Sequence, residues 1–468
     1  MEITKTDFLR YLEAPMHLWA EKHDRIEHEL SPYELHLFEQ GKEIEKLGKQ
    51  FLATTLAGLE ITQEQTFTDG PFWARVDALV YDPAADAYDM YEIKSASSIR
   101  KEHTYDVAFQ YLVCAASIPV RGVYIVHINK AFVRRGEVTV DELFVVEDVT
   151  EAILALEDEI AAARQSAWEV VSQNEPVKTG GCLKPKTCPC PALCHPVLPE
   201  HPIFDIPRLH HNKARLLLDQ GILAIQDIPA DFALSERQSL HVQAVKQGGP
   251  LVDAAAIRAE LGKLVYPLYF LDYETYNPAV PFYDGYRPYQ HMVFQYSLHV
   301  IAAPGGEPEH FECLVTDKND PGRQIAEHLA EHIGETGTVI VWNKAFEAGR
   351  NQEMAAMYPE YSTFLLGVND RIYDLMDCFS KGYYVHPDFH GSASIKQVLP
   401  VLVQDHDLDY EGLPIPQGDA AMLAWVSLMA EFAPVEHVEQ TRKDLLCYCE
   451  LDTLAMVRNW QALAAVVG

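Results

Sequence analysis

No apolar run in this chain reaches the roughly 20 residues that a membrane span needs. The chain has no clear internal repeat and no low-complexity tract. Basic residues are scarce: 37 Lys and Arg stand against 69 Asp and Glu, a formal net charge of -32. Each absence removes a class of protein. The opening stretch MEITKTDFLRYLEAP is not a signal peptide, so the expectation is a soluble, cytoplasmic protein with no membrane partner. The acidic balance argues against a passive nucleic-acid coat protein, whose affinity rests on basic surface. It leaves a nuclease open, because metal-binding carboxylates are acidic and a local basic groove can sit on an acidic body. The stretch IRKEH from Ile99 to His103 and the pair Arg134 and Arg135 are weak candidates for that groove.

The nine cysteines are odd in number and come without an export signal, which argues against a disulfide framework. Cys114, Cys313, Cys378, Cys447 and Cys449 are scattered, whereas Cys182, Cys188, Cys190 and Cys194 crowd into one Pro- and Gly-rich segment. With 468 residues and 48% hydrophobic content, the chain is long enough for two or three packed domains. Helix, strand, helix and strand signals over residues 1–196 describe an α/β domain that ends at the cysteines. Residues 197–262 read as a helical connector, and an α/β pattern restarts over 263–468.

In ARVDALVYDPAADAYDMYEIKSAS, Asp77 lies on an alternating strand, and Glu92 and Lys94 share one face of the next. Carboxylates of this kind hold a hard cation such as Mg2+ or Mn2+, and a lysine beside them can orient water or stabilise a transition state. The plain alternative is a cross-strand ion pair. The segments RVD and YEIKSAS, followed by a helix carrying Gln110, resemble the PD-(D/E)XK nucleases of the RecB-like type over roughly residues 1–195. The resemblance implies that Gln110 closes the site. It also places Glu43 of the early helix where those nucleases often carry a histidine.

The spacing C-x5-C-x-C-x3-C suits a metal or an iron–sulfur cluster. RecB-like nucleases with an iron–sulfur staple take one cysteine from the N-terminal region and three from the C-terminal end. Ala14 occupies that N-terminal place here. Either Cys190 supplies the fourth ligand of a 4Fe-4S cluster, or the cluster is lost or replaced by Zn2+.

In LYFLDYET, Asp272 and Glu274 project side by side from a strand end. Two like charges that close repel, unless a cation sits between them. Downstream, Glu347 stands four residues after Asn343, and Tyr448 and Asp452 share a helical face in LLCYCELDTLAMV. The order D-x-E, N-x3-E, Y-x3-D resembles the DEDD 3′–5′ exonucleases of the RNase H-like fold, in their tyrosine subtype, over roughly residues 264–468. That resemblance implies two divalent metals on Asp272, Glu274 and Asp452, with Tyr448 orienting the attacking water. Glu347 stands where Asp is usual, which leaves either altered geometry or a role for Asp374 or Asp377. In HGSASIKQVLP, Ser392 or Ser394 can cap a helix, and Lys396 can reach a phosphate. KARLLLDQGILAIQDIP is like a helix–hairpin–helix, or else a plain packing hairpin.

The whole arrangement resembles a bacterial family of uncharacterised proteins that joins a RecB-like nuclease domain to an RNase H-like domain. The expectation is a metal-dependent nuclease acting on nucleic acid, with single-stranded or flapped DNA as the substrate and DNA repair or phage defence as the setting. The alternatives are a nucleic-acid-binding scaffold with inactive centres and a non-nucleolytic iron–sulfur protein.

Overall fold

The computed structural model describes residues 1–468 other than 27–28, 178–180, 404–407, 411 and 430–434. The chain divides into two compact units, Met1–Val197 with Asn277–Gln290, and Leu198–Tyr276 with His291–Gly468. The stretch read as a connector therefore falls almost wholly in the second unit, and the tyrosine-bearing loop Asn277–Gln290 falls in the first.

The first unit is built on five strands: β1 (Glu60–Asp69), β2 (Phe72–Asp82), β3 (Ala87–Lys94), β4 (Val120–Ile128) and β5 (Phe144–Asp148). They lie in chain order across the sheet, with β3 and β4 parallel and the other neighbours antiparallel. Gly70, at φ +58°, and Pro71 make the two-residue turn between β1 and β2, a conformation that glycine accepts without steric cost. The start of the chain is part of this layer: Ile3 is fully buried and bridges Phe72, through Ile3 N to Pro71 O at 2.9 Å and Trp73 N to Ile3 O at 2.9 Å.

The parallel pair needs a crossover, and the Lys101–Ala115 helix supplies it. Its Val107, Phe109 and Val113 pack with Phe8 of the Lys5–Glu13 helix against Val76 and Met90, and the Phe8 and Phe109 rings stack at 5.0 Å. A second core forms where Ile44, Phe51 and Leu52 of the Pro32–Thr55 helix meet Ala78, Val80 and Ile93. Ser31 and Glu34 form a capping box that fixes the start of that helix. The acidic stretch 150–173 forms two helices, Thr150–Leu154 and Glu157–Val171, whose Ile153 and Ile160 reach one core.

The second unit carries β6 (Leu251–Val252), β7 (Leu268–Tyr276), β8 (Met292–Ile301), β9 (Glu309–Leu314), β10 (Thr338–Val341), β11 (Ile372–Asp374) and β12 (Tyr384–Val385). Five of them form a mixed sheet in the order β11-β10-β7-β8-β9, antiparallel from β7 through β9 and parallel from β7 through β11. β6 and β12 make a separate two-stranded ladder. Along β7 the side chains alternate. Tyr269, Leu271 and Tyr273 join the core under the Pro321–His332 and Lys344–Met357 helices, while Phe270, on the other face, meets Trp460 of the long Val435–Val467 helix. The helix–hairpin–helix reading does not hold. The His211–Asp219 helix ends at Gly221, but Ile225–Asp227 makes only a 3-10 turn before Pro229, and the next helix starts at Glu236 behind the Ser235 cap.

Gly48 is where the Pro32–Thr55 helix comes closest to β3. A Cβ there would lie 2.7 Å from Ile93 Cγ2, on a β-branched side chain with little freedom to move. Gly48→Val is expected to destabilise this unit by about 1–3 kcal/mol. The measurement is a lower urea midpoint for the transition that unfolds it.

Candidate metal centres

The β2–β3 ladder runs as far as Ala78 opposite Tyr91, and the first candidate centre lies one step beyond it. There Asp77 Oδ2 accepts the Ile93 N–H at 2.8 Å in place of a strand partner. Glu92 is almost fully buried, and its Oε1 accepts from Lys94 Nζ at 2.9 Å and Lys5 Nζ at 2.6 Å. Lys94 also pairs with Asp106, whose Oδ1 accepts from Gln110 Nε2 at 3.0 Å. Asp77, Glu92, Lys94 and Gln110 are thus tied to one corner by these bonds. Lys5 and Asp106 join them. Asp106 was legible in principle, since it lies four residues from Gln110 on one helical face. Lys5 carried no signal, because only the fold brings it to Glu92. Glu43 is exposed on the Pro32–Thr55 helix, and among the described residues it has no bond to this group.

Burial pushes the Asp77 carboxyl up, and neighbouring Glu92 adds to it, to about 7. Burial acts the same way on Glu92, but Lys94 and Lys5 outweigh it and bring that group down to about 2. Among the described residues, Glu92 Oε2 and Gln110 Oε1 are buried without a hydrogen-bond partner. An orphaned buried oxygen costs about 1–3 kcal/mol, and the one on Glu92, whose charge acts on Asp77, fits a cation held through oxygen.

The second candidate centre is at the end of β7. Asp272 pairs with Ser297 and Glu274 with Gln295, and the register then shifts between Glu274 and Thr275. A bulge at that point lets the strand turn away while both carboxylates stay on one face. The Val435–Val467 helix brings Tyr448, Cys449 and Asp452 to them, three residues spaced for one helical stripe. Ligand atoms of Asp272, Glu274 and Cys449 lie within 4.8 Å of one another, with Cys449 Sγ 3.9 Å from Asp272 Oδ2. Tyr410 donates to Asp452 Oδ1 at 2.7 Å, and Tyr448 also hydrogen-bonds Asp452. Lys396 Nζ donates to Pro416 O at 2.7 Å and to Tyr448 Oη at 3.3 Å, and it lies over the Tyr410 and Tyr448 rings at 5.0 and 5.1 Å. Ser394 is the N-cap of the Lys396 helix without a side-chain bond, and Ser392 Oγ accepts its N–H.

Glu347 is 3% exposed, and among the described residues its Oε2 has no partner. Its charge raises Asp272, so it belongs electrostatically with the β7 carboxylates. Asp374 instead accepts from Lys344 N at 2.9 Å and Met376 N at 3.1 Å, and Asp377 pairs with Lys381 at 2.7 Å. Burial, then Asp452, Glu274 and Glu347, hold Asp272 well above the ordinary carboxyl range. Burial and Asp452 do the same to Glu274, against the pull of Lys396. Burial takes Glu347 to about 8, and it takes Asp452 to about 6 against Tyr410, Lys396 and Tyr448. Carboxylates gathered in this way need cations to ionise together.

The four clustered cysteines meet a residue that the sequence reading did not include. Cys188 Sγ lies 3.5 Å from Nε2 of His17, in the Pro15–Lys22 helix, and Cys190 Sγ lies 3.6 Å from Cys194 Sγ. Cys182 Sγ accepts from Lys184 N at 3.3 Å and, with His195, lies within 4.8 Å of Cys188. Ala14 is the N-cap of the His17 helix.

Residues 269–394 match a domain of unknown function, DUF2779. That window holds Asp272, Glu274 and Glu347 and stops short of Tyr448 and Asp452. The chain is 27% identical over 203 residues to a Mycoplasma pneumoniae protein described as "Uncharacterized protein MG366 homolog", covering 40% of this chain and 31% of that protein. It is 28% identical over 206 residues to "Uncharacterized protein UU173" of Ureaplasma parvum serovar 3, covering 40% and 30%. The matched part thus spans about a third of each relative. No solved structure matches. The domain and both relatives carry descriptions without an assigned activity.

The raised carboxyls fix the sign of a pH dependence. Glu347 titrates at about 8 and Asp452 at about 6, against about 4 for free carboxyls. The folded state then keeps protons that the unfolded chain releases, so stability falls as pH rises from about 4 to about 8. In chelator, the thermal midpoint of the second unit is expected to drop across that window. Mn2+ should raise it more at pH 8 than at pH 5. Glu347→Gln should raise the chelator midpoint at pH 8 and shrink the gain from Mn2+; equal gains in both proteins would remove Glu347 from the metal site.

Proposed function

We propose that this protein is a metal-dependent nuclease that hydrolyses phosphodiester bonds, with a PD-(D/E)XK-type centre at Asp77, Glu92 and Lys94 and a DEDD-type exonuclease centre at Asp272, Glu274, Glu347 and Asp452. The observation that carries this reading is the gathering of four buried or half-buried carboxylates with one lysine at the end of β7. Buried acids without a compensating function are a liability, because desolvation opposes their charge. Sheet order supports the same reading. The sequence β11-β10-β7-β8-β9, with three antiparallel strands followed by two parallel ones, suits an RNase H-like domain. The β3–helix–β4 crossover behind Glu92 and Lys94 suits a restriction-endonuclease-like one.

In the second centre Asp272, Glu274 and Asp452 would hold Mg2+ or Mn2+, with Glu347 closing the set. When bound, such ions supply Lewis acidity and a nucleophilic water at neutral pH. Tyr448 accepts from Lys396 while bonding Asp452, so its hydroxyl is fixed and oriented to position a water. Lys396 offers positive charge to a phosphate oxygen at the same spot. In the first centre Asp77 and Glu92 Oε2 would take the cation. Gln110 is joined to the group through Asp106, while Lys5 and Lys94 hold Glu92 ionised. The substrate proposed for these centres is a nucleic-acid strand, with single-stranded or flapped DNA first. Repair and phage defence are settings in which such an activity would serve.

The assay uses purified protein, end-labelled single-stranded DNA and RNA, and Mn2+ or Mg2+. Asp272→Ala is expected to abolish stepwise shortening, and Tyr448→Phe to slow it by roughly 100-fold or more, the size of a lost transition-state contact. Lys94→Ala is expected to remove internal cutting and leave shortening intact. Full cleavage by the doubly substituted Lys94→Ala, Asp272→Ala protein would sink the proposal. Metal-independent strand binding without cleavage would favour a scaffold.

A further inference from the structure

The cysteine segment was expected to hold an iron–sulfur cluster with Cys190 as the fourth ligand, or to have lost that cluster or replaced it by zinc. Its nearest N-terminal neighbour is instead His17, three residues beyond Ala14. The ligand atoms of His17, Cys188, Cys190 and Cys194 all lie within 4.8 Å of one another. Two of these pairs, Cys190–Cys194 at 3.6 Å and His17–Cys188 at 3.5 Å, match the edges of a small tetrahedron. A zinc ion with sulfur at about 2.3 Å and nitrogen at about 2.0–2.1 Å spans edges of roughly 3.4–3.8 Å. A 4Fe-4S cluster makes a different demand, since each of its thiolates binds its own iron at a separate corner of the cluster. Sulfurs drawn into mutual contact do not fit that arrangement.

We infer that His17, Cys188, Cys190 and Cys194 bind one zinc ion in a closed, structural Cys3His site, in place of the iron–sulfur cluster that the resemblance implies. Cys182 and His195 share Cys188 in a second group of close ligand atoms, but the Cys182 sulfur accepts the Lys184 N–H at 3.3 Å, and we leave it outside the set. The surroundings suit a structural ion. Met16, Trp19, Ala20 and Val177 pack with Cys190 in a small apolar cluster, with Cys188 and Cys194 half-buried at its side. Trp19 Nε1 donates to Gln173 O at 2.9 Å, and the His23 ring meets Val171 O at 3.2 Å, so two further bonds already run between the same helix and the region ahead of the cysteines. The ion completes a clasp between the start and the end of the first unit. This inference is independent of whether either carboxylate centre cleaves nucleic acid.

The test is metal and sulfide analysis of the full chain, purified without chelator and without oxygen, together with zinc-edge X-ray absorption. The expected result is a colourless protein with stoichiometric zinc and a first shell of three sulfurs and one nitrogen. Cys182→Ser should keep the zinc, and His17→Ala should lose it. If His17→Ala fails to fold, His17→Cys decides the matter: it should retain zinc with a shell of four sulfurs. A brown wild-type protein with iron and acid-labile sulfide would overturn the inference. So would wild-type zinc with four sulfurs, or loss of zinc in Cys182→Ser.

Discussion

Like charges cannot share a dry pocket, and both units of this protein place carboxylates where burial forces the issue. The two solve it differently. In the first, Asp77, Glu92 and Asp106 face Lys5 and Lys94, three acids against two ammonium groups, so one negative charge is in excess. In the second, Asp272, Glu274, Glu347 and Asp452 face Lys396, four against one, and three are in excess. The first excess suits a single divalent ion. The second suits a pair, and every acid there rises, whereas in the first Asp77 rises to about 7 and the lysine-paired Glu92 falls to about 2. The strand ends, the bulge after Glu274 and the angle of the last helix all serve to bring those acids together against their own repulsion.

The parts of each centre that were legible in the sequence share a local period. Asp272 and Glu274 stand two apart on a strand, as do Glu92 and Lys94, and Tyr448 and Asp452 stand four apart on a helix. The same helical rule extended by one position would have included Cys449. Contributions that cross the fold left no such trace. Lys5 meets Glu92 across 87 positions, His17 meets Cys188 across 171, and Tyr410 reaches Asp452 from a stretch with no regular period. Strands such as β2, β4, β7 and β8 were readable from their apolar sequence. The short β5, β6, β9, β11 and β12 carried no strand reading; each lies at a sheet edge or in the two-stranded ladder, with too few residues to show a period.

Glu347 illustrates how a departure from a pattern can be absorbed by geometry. It follows β10 on the first turn of the Lys344–Met357 helix, and it is buried with an oxygen to spare. Asp374, which the sequence offered as a substitute, is spent on the backbone N–H groups of Lys344 and Met376, fixing the start of that same helix. The two acids therefore divide the work: one holds the helix that presents the other.

Ile3 and Lys5 give the beginning of the chain an unusual weight. Ile3 is sealed against Phe72, and two residues later Lys5 neutralises the most buried acid of the first centre. Most chain starts can be lengthened, tagged or clipped at little cost, but here even a cut of five residues would take a sheet contact and half of the positive charge on Glu92.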